Sequence, residues 1–249
     1  MPVTLPPEII SRILEYIPLD TSRQRTLIAC ALVATWWTGP SQKHLFSFVT
    51  INEKNYQRWM NSVVFSESKA RLLGFVRWLC LGIGAKHRIR DLPRHSGEYL
   101  SALHNLHTLT LYKTRAKHIP EDQFYTCFST FRGTLTYLSL KNFSTSFSAF
   151  VTLVDYFPSI RTLQLHSFVL EPDEGPVPSL PRPPRGRLHI EYVLPDRLEF
   201  FNKFVKLELE YEELRVDSLD AGTEFLESAL QISSNTVKYL KLATELRCG

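Results

Sequence analysis

Five of the eight histidines, at 87, 95, 104, 107 and 118, fall within one 32-residue span. Imidazole is both a metal ligand and a proton carrier near neutral pH. His104 and His107, three apart, match one helical turn and would suit a metal pair. No Asp, Glu or Cys stands beside them to complete a ligand set, so both are expected as polar turn residues at a strand entry. The same span carries Arg77, Lys86, Arg88, Arg90, Arg94, Lys113, Arg115 and Lys117. Such a run suits phosphates or an acidic protein surface. Its counterpart is 199–227, with nine acids against three bases, densest at Glu208, Glu210, Glu212 and Glu213. In KLELEYEEL, strand alternation places Leu207, Leu209 and Tyr211 on one face and Glu208, Glu210 and Glu212 on the other. The candidate target-facing charges are therefore Arg88, Arg90, Arg94, Glu208, Glu210 and Glu212. A protein target is the favoured reading over nucleic acid.

No catalytic signature accompanies these charges. The chain holds no P-loop, GxSxG, HExxH or paired CxxC. Gly82-Ile83-Gly84 follows a predicted strand, but the third fingerprint position is His87. The four cysteines, at 30, 80, 127 and 248, are too far apart in sequence for a CxxC-type metal or redox pair. No catalytic residue, cofactor or metal is expected.

The elements that position these groups come from an ordinary globular chain. Its 249 residues suggest one or two domains, and 44% hydrophobic content, with 36 leucines, suffices for a core. The net charge of +4 conceals an asymmetry: residues 49–120 hold twelve bases against four acids, and 121–249 thirteen against eighteen. The longest apolar stretches, 27–37 and 75–85, hold 11 residues each, short of the roughly 20 a bilayer span needs. No leader pattern opens the chain, so a cytoplasmic or nuclear location and no membrane partner are expected.

Residues 1–48 read as three short helices. Thr4 is the expected N-cap of the first, with Pro6 and Pro7 in its opening turn and Ile9, Ile10, Ile13, Leu14 and Ile17 at helical spacing. Asp20 or Thr21 caps the second, Gly39-Pro40 breaks it, and a third segment ends at Leu45-Phe46. A helical linker is expected over 49–75. From 76 onward, apolar-x-x-Leu-x-Leu recurs as VRWLCL, LHTLTL, LTYLSL, IRTLQL, RGRLHI (with its first apolar position lost), FVKLEL and VKYLKL. Starts at 76, 106, 135, 160, 185, 204 and 237 give steps of 30, 29, 25, 25, 19 and 33 residues. Helical patterns lie between, over 120–133 (Phe124, Phe128, Phe131), 147–157 and 225–230. Strand–helix alternation of this kind implies a parallel sheet backed by helices. The expected class is α/β, with a short, irregular solenoid over 76–249 and a Pro-rich loop at 171–187. The usual Asn or Cys three after the last Leu is Gly84, Thr114, Phe143 and Phe168 here, so no asparagine ladder is expected. Only seven residues follow VKYLKL, and an uncapped, truncated last repeat is the expectation.

The first block resembles an F-box: Leu5-Pro6, Glu8, Ile9-Ile10, Ile13-Leu14, Ile17, Asp20, Leu27, Val33 and Trp36, closing at Leu45-Phe46. With degenerate leucine-rich repeats behind it, the whole chain resembles the expanded F-box families of fungi. The resemblance implies a non-catalytic substrate receptor of a cullin–RING ubiquitin ligase. Its F-box would bind a Skp-type adaptor, with Leu5, Pro6, Ile9, Ile13 and Leu14 as contacts, and its repeats an unidentified target protein. A ligase-independent protein- or nucleic-acid-binding repeat protein is the alternative.

Overall fold

A computed structural model describes residues 5–18, 22–52, 54–55, 71–82, 100, 102–112, 125, 128–171, 186–191, 211–217, 227 and 238–243. It is a mixed α/β structure: three N-terminal helices lead into a parallel sheet.

Helix α1 spans Pro7–Glu15, and its N-cap is Pro6 (φ −57°, ψ 144°). The cap differs from the expected Thr4, which lies outside the described residues. A residue before proline is driven into extended geometry, so Pro6-Pro7 forbids an earlier helical start. Helix α2 spans Arg23–Val33 from an N-cap at Ser22. Asp20 and Thr21 lie outside the described residues. The break after α2 falls at Ala34 (φ −160°, ψ 155°), not at Gly39-Pro40, and helix α3 runs Thr35–Leu45 straight through Pro40. Proline removes one rung of the helix ladder, and contacts of α3 with α1 and α2 hold the turn in place. Ile10, Leu14 and Leu27 form the buried centre of this unit, with Ile17, Cys30, Trp37 and Leu45 packed around them.

Among the described residues the sheet has eight strands, all parallel, in the order β1-β2-β3-β4-β6-β8-β9-β10. They are β1 (Phe48–Asn52), β2 (Trp78–Gly82), β3 (Thr108–Tyr112), β4 (Tyr137–Lys141), β6 (Thr162–His166), β8 (Gly186–Glu191), β9 (Tyr211–Asp217) and β10 (Tyr239–Ala243). The first of these corrects the beginning of the helical linker expected over 49–75, of which 71–73 are helical: FSFVTI (46–51) is itself a motif, and Ile51 pairs with Leu81. Its aliphatic anchors are Val and Ile, so a search for Leu-x-Leu passes over it.

The second correction concerns FVKLEL. The strand that pairs β8 with β10 is β9, where Leu214 aligns with Leu188 and with Leu240. Its motif is YEELRV (211–216), with Tyr211, Leu214 and Val216 all buried. Residues 204–209 lie outside the described residues. Starts at 46, 76, 106, 135, 160, 185, 211 and 237 now give steps of 30, 30, 29, 25, 25, 26 and 26, and the irregular 19 and 33 disappear. A parallel strand must satisfy both neighbours at once, through crossovers long enough to return to the same edge. The strand between β8 and β10 is therefore the segment at the workable spacing.

Register is reinforced at the entries to β2, β3, β4 and β6, where one carbonyl accepts two successive N–H groups of the next repeat. Ser47 O takes Arg77 and Trp78 N (both 2.9 Å), Arg77 O takes His107 and Thr108 N, and His107 O takes Thr136 and Tyr137 N. Leucine pairs such as Leu109/Leu111, Leu138/Leu140 and Leu163/Leu165 are at most 1% exposed. They share one hydrophobic core with helix α4 (Phe147–Tyr156), whose N-cap Ser146 accepts from Ala149 N (3.2 Å). Of the helix expected over 120–133, Tyr125 and Phe128 are helical, and a tight turn of 3₁₀ helix covers Ser129–Phe131. Phe124 lies outside the described residues, as does the 225–230 helix apart from Glu227.

Aromatic stacking stands where an asparagine ladder is absent. Phe143 and Phe168 lie parallel (6.2 Å, 3°), and Phe150 meets Phe168 edge-on at 5.3 Å. Beside them β5 (Ser144–Ser146) and β7 (Val169–Glu171) make a second, two-stranded parallel sheet. Asn142 (φ 49°) and Ser167 (φ 48°) turn the chain left-handed just after β4 and β6. Their N–H groups donate to His166 O and Glu191 O. Such backbone turns cost energy for non-glycine residues, and these bonds offset part of it.

Candidate binding surfaces

Pairing register converts the motif into a surface. Side chains between the apolar anchors point to the opposite face of the sheet, and equivalent positions line up across strands. One row runs Phe48, Trp78, Thr108, Tyr137, Thr162 and Arg187 before Glu213 and Tyr239. The chemistry changes along the sheet. At the β1 end, Phe48 and Trp78 form an edge-to-face pair at 5.0 Å, about half exposed, and Trp78 Nε1 donates to Thr110 Oγ1 (3.2 Å).

A hydrogen-bonded network occupies the middle. Tyr137 OH (2.7 Å) and Ser139 Oγ (3.0 Å) both donate to Gln164 Oε1, and Gln164 Nε2 donates to Glu191 Oε1 (2.8 Å). His166 Nδ1 donates to Glu191 Oε2 at 2.9 Å. Burial alone would raise the Glu191 carboxyl, but the bonds from His166 and Gln164 outweigh it and hold it below the usual range. Burial pushes the Tyr137 phenol up, with the Glu191 charge acting the same way. Every member has a partner, so the network is a fixed polar platform.

The far end is ionic. Arg187 Nε meets Glu213 Oε2 at 2.9 Å, and Lys238 Nζ meets Glu212 Oε1 at 3.5 Å. Burial lowers the His189 imidazole, with Glu213 opposing it. A groove of about 730 Å³ crosses this region and includes Tyr137, Arg161, Arg187, Glu212, Glu213 and Tyr239 in its lining. Of the six charges expected to face a target, Glu212 is thus exposed and paired, while Arg88, Arg90, Arg94, Glu208 and Glu210 lie outside the described residues.

Behind this row, Tyr211 is 2% exposed, and its hydroxyl has no partner among the described residues. Burial drives its ionisation far up. An unpaired buried hydroxyl costs about 1–3 kcal/mol. Tyr211→Phe is therefore expected to stabilise the fold by about 1 kcal/mol, read as a raised urea midpoint with unchanged slope; a lowered midpoint would refute the unpaired state.

Reactive chemistry is weakly provided. Cys80 is half-buried, and burial raises its thiol despite Lys141, so the thiolate is disfavoured. Ser11 Oγ and His44 Nε2 lie 2.9 Å apart, a nucleophile–base distance. Burial lowers that imidazole, Glu15 opposes the shift, and the pair joins α1 to α3. It is an inter-helix fastener. Among the described residues no group of three or more His, Cys, Asp or Glu could hold a metal ion, and His104 and His107 stand at a strand entry.

The helical unit presents a second surface. On α1, Ile9 (46% exposed), Ile13 (43%) and Tyr16 (87%) follow one another at i, i+4 and i+7. On α2, Ile28, Leu32 and Val33 are exposed, and Leu5 and Pro6 precede α1 in the open. Leu14 corrects the expected contact set: it is fully buried against Ile10 and Leu27, and cannot reach a partner. Tyr16, Ile28 and Leu32 were outside that set, although the same helical spacing that selects Ile9 and Ile13 also selects Tyr16.

No helix among the described residues is long and apolar enough to cross a membrane. No protein-family model and no curated protein matches this chain.

Proposed function

We propose that this chain is a non-catalytic substrate-recognition adaptor of a Skp/cullin/F-box ubiquitin ligase. In this reading residues 1–48 are an F-box that docks onto a Skp-type adaptor. The strands from β1 onward are a degenerate leucine-rich-repeat solenoid whose open sheet face holds a target protein. The observation that carries the reading is the exposed apolar surface of α1 and α2 on a unit whose buried hydrophobic cluster, among the described residues, is three side chains. Apolar surface gathered on so small a unit is characteristic of a protein-docking site. The graded sheet face, aromatic at one end and ionic at the other, supports a polypeptide target of mixed chemistry.

Co-purification with a Skp-type adaptor tests this. Ile9→Asp, at the positive end of the helix dipole, and Ile13→Lys, near its negative end, both remove an apolar anchor without opposing the dipole. Each is expected to weaken adaptor binding at least tenfold, about 1.4 kcal/mol or more. Lys241→Glu, on the last strand, should leave it unchanged. Failure of the wild-type chain to bind the adaptor, or equal binding by both α1 variants, would overturn the proposal.

A further inference from the structure

Where the helical unit meets the first strands, the fold gathers cations that are remote in sequence. Lys43 comes from the last turn of α3, Arg71 from the helical residues 71–73, Arg77 from the entry to β2, and His104, Asn105 and His107 from the turn leading into β3. They line one groove of about 520 Å³ together with Gly74 and Phe75, and among the described residues no acidic side chain lines it. Among the described residues no ion pair holds Lys43, Arg71 or Arg77. Elsewhere on the sheet the bases Arg187 and Lys238 are matched by Glu213 and Glu212.

Its walls are also fixed in place. Asn105 Nδ2 donates to Gly74 O at 2.7 Å, which ties one turn to the other. A Cβ on Gly74 would come within 3.3 Å of His104 Cε1, so the absence of a side chain lets that ring close over the turn. His107 Nδ1 donates to Thr134 O (3.1 Å), which orients its ring. Unpaired cations on a fixed concave wall repel one another, and an anion that bridges them relieves that repulsion. Arginine's planar fork matches the oxygens of phosphate.

The geometry points to a site for a phosphate-bearing anion in this groove, with Arg71 and Arg77 as the main donors and Lys43 as a third cation. The volume exceeds that of a single phosphate ion, so the site suits linked phosphates or a phosphate with part of its carrier. This inference does not rest on the ligase reading.

Calorimetric titration of the full chain with pyrophosphate, tripolyphosphate and a blocked phosphoserine tripeptide tests it at low ionic strength. Saturable binding is expected for at least one probe, weakened tenfold or more in Arg71→Glu/Arg77→Glu and by a smaller factor in Arg71→Gln/Arg77→Gln. Lys54→Glu/Lys241→Glu, exposed positions outside the groove with the same charge change, should bind as the wild type does. Binding of the condensed phosphates alone assigns a free ligand; binding of the peptide as well assigns a phosphorylated polypeptide. Thermal melts check that each variant is folded. The site is overturned if no probe binds more tightly than about 10 mM, or if groove and control variants lose affinity equally. A single-stranded oligonucleotide bound far more tightly through the same arginines would also overturn it.

Discussion

Gly186→Ala is expected to destabilise the protein by about 4 kcal/mol or more, enough to lower its urea midpoint drastically. Gly186 opens β8 at φ 129°, a backbone region that L side chains rarely adopt. A Cβ there would overlap the carbonyl oxygen of Arg161 and lie 2.9 Å from its carbonyl carbon. Those are backbone atoms of the adjoining strand entry, and Arg161 O accepts from Arg187 N at 2.7 Å, so neither side can retreat without breaking the pairing. The strain also falls where register is delicate. Gly186 pairs with Tyr211 and Arg187 with Glu213, which leaves Glu212 as an inserted residue. Gly133→Ala is the internal control: a Cβ there meets nothing within 4 Å, and its φ lies outside the left-handed region. It should shift stability by less than about 1 kcal/mol. Similar midpoints for the two variants would show that β8 is not held at this register.

The second large effect is local. Leu14→Asp should melt the three-helix unit while the sheet stays folded. Leu14 is 0% exposed, and among the described residues it forms with Ile10 and Leu27 the buried hydrophobic cluster of that unit. Losing a buried leucine costs about 2–5 kcal/mol, and a carboxylate in its place adds desolvation. The sheet has its own core, built from Leu109, Leu138, Leu163, Phe150 and their neighbours, in a separate cluster. Amide hydrogen exchange should therefore show α1–α3 deprotected and β3, β4 and β6 still protected. Ile13→Lys, one residue away on the exposed face, should change protection by less than about 0.5 kcal/mol. If Leu14→Asp unfolds both regions together, the two cores are one cooperative unit. The contrast also fixes the choice of probe: a Leu14 variant that fails to bind a partner reports unfolding, whereas an Ile13 variant reports contact.

Much of this architecture is legible in the sequence, and the exceptions share a cause. VRWLCL, LHTLTL, LTYLSL, IRTLQL and RGRLHI each lead into the strand they predict, because two leucines spaced two apart with a third apolar three back suit a strand and its entry turn. A search for Leu-x-Leu passes over FSFVTI, whose anchors are Phe, Val and Ile, and over YEELRV, which forms β9 with Tyr, Leu and Val. Both errors come from scoring a strand by its own residues, when a parallel strand is selected by the neighbours it must pair. Pro40 misled for a similar reason: it weakens a helix locally, and α1 and α2 hold that helix together from outside.

Residue order alone thus determines the alternation of strand and helix, the apolar anchors, the helical face of Ile9, Ile13 and Tyr16, and the separation of basic and acidic blocks. These are local or periodic properties, readable from spacing and charge. Only the tertiary structure decides that Leu14 faces inward while Ile13 faces out, that Gln164 joins Tyr137, Ser139 and Glu191, and that Lys43, Arg71, Arg77 and His104 line one groove. The first depends on how α1 packs against its neighbouring helices, the other two on stacking repeats about 25 to 30 residues apart in fixed register. That stacking turns positions distant along the chain into neighbours, and spacing within a single segment carries no record of it.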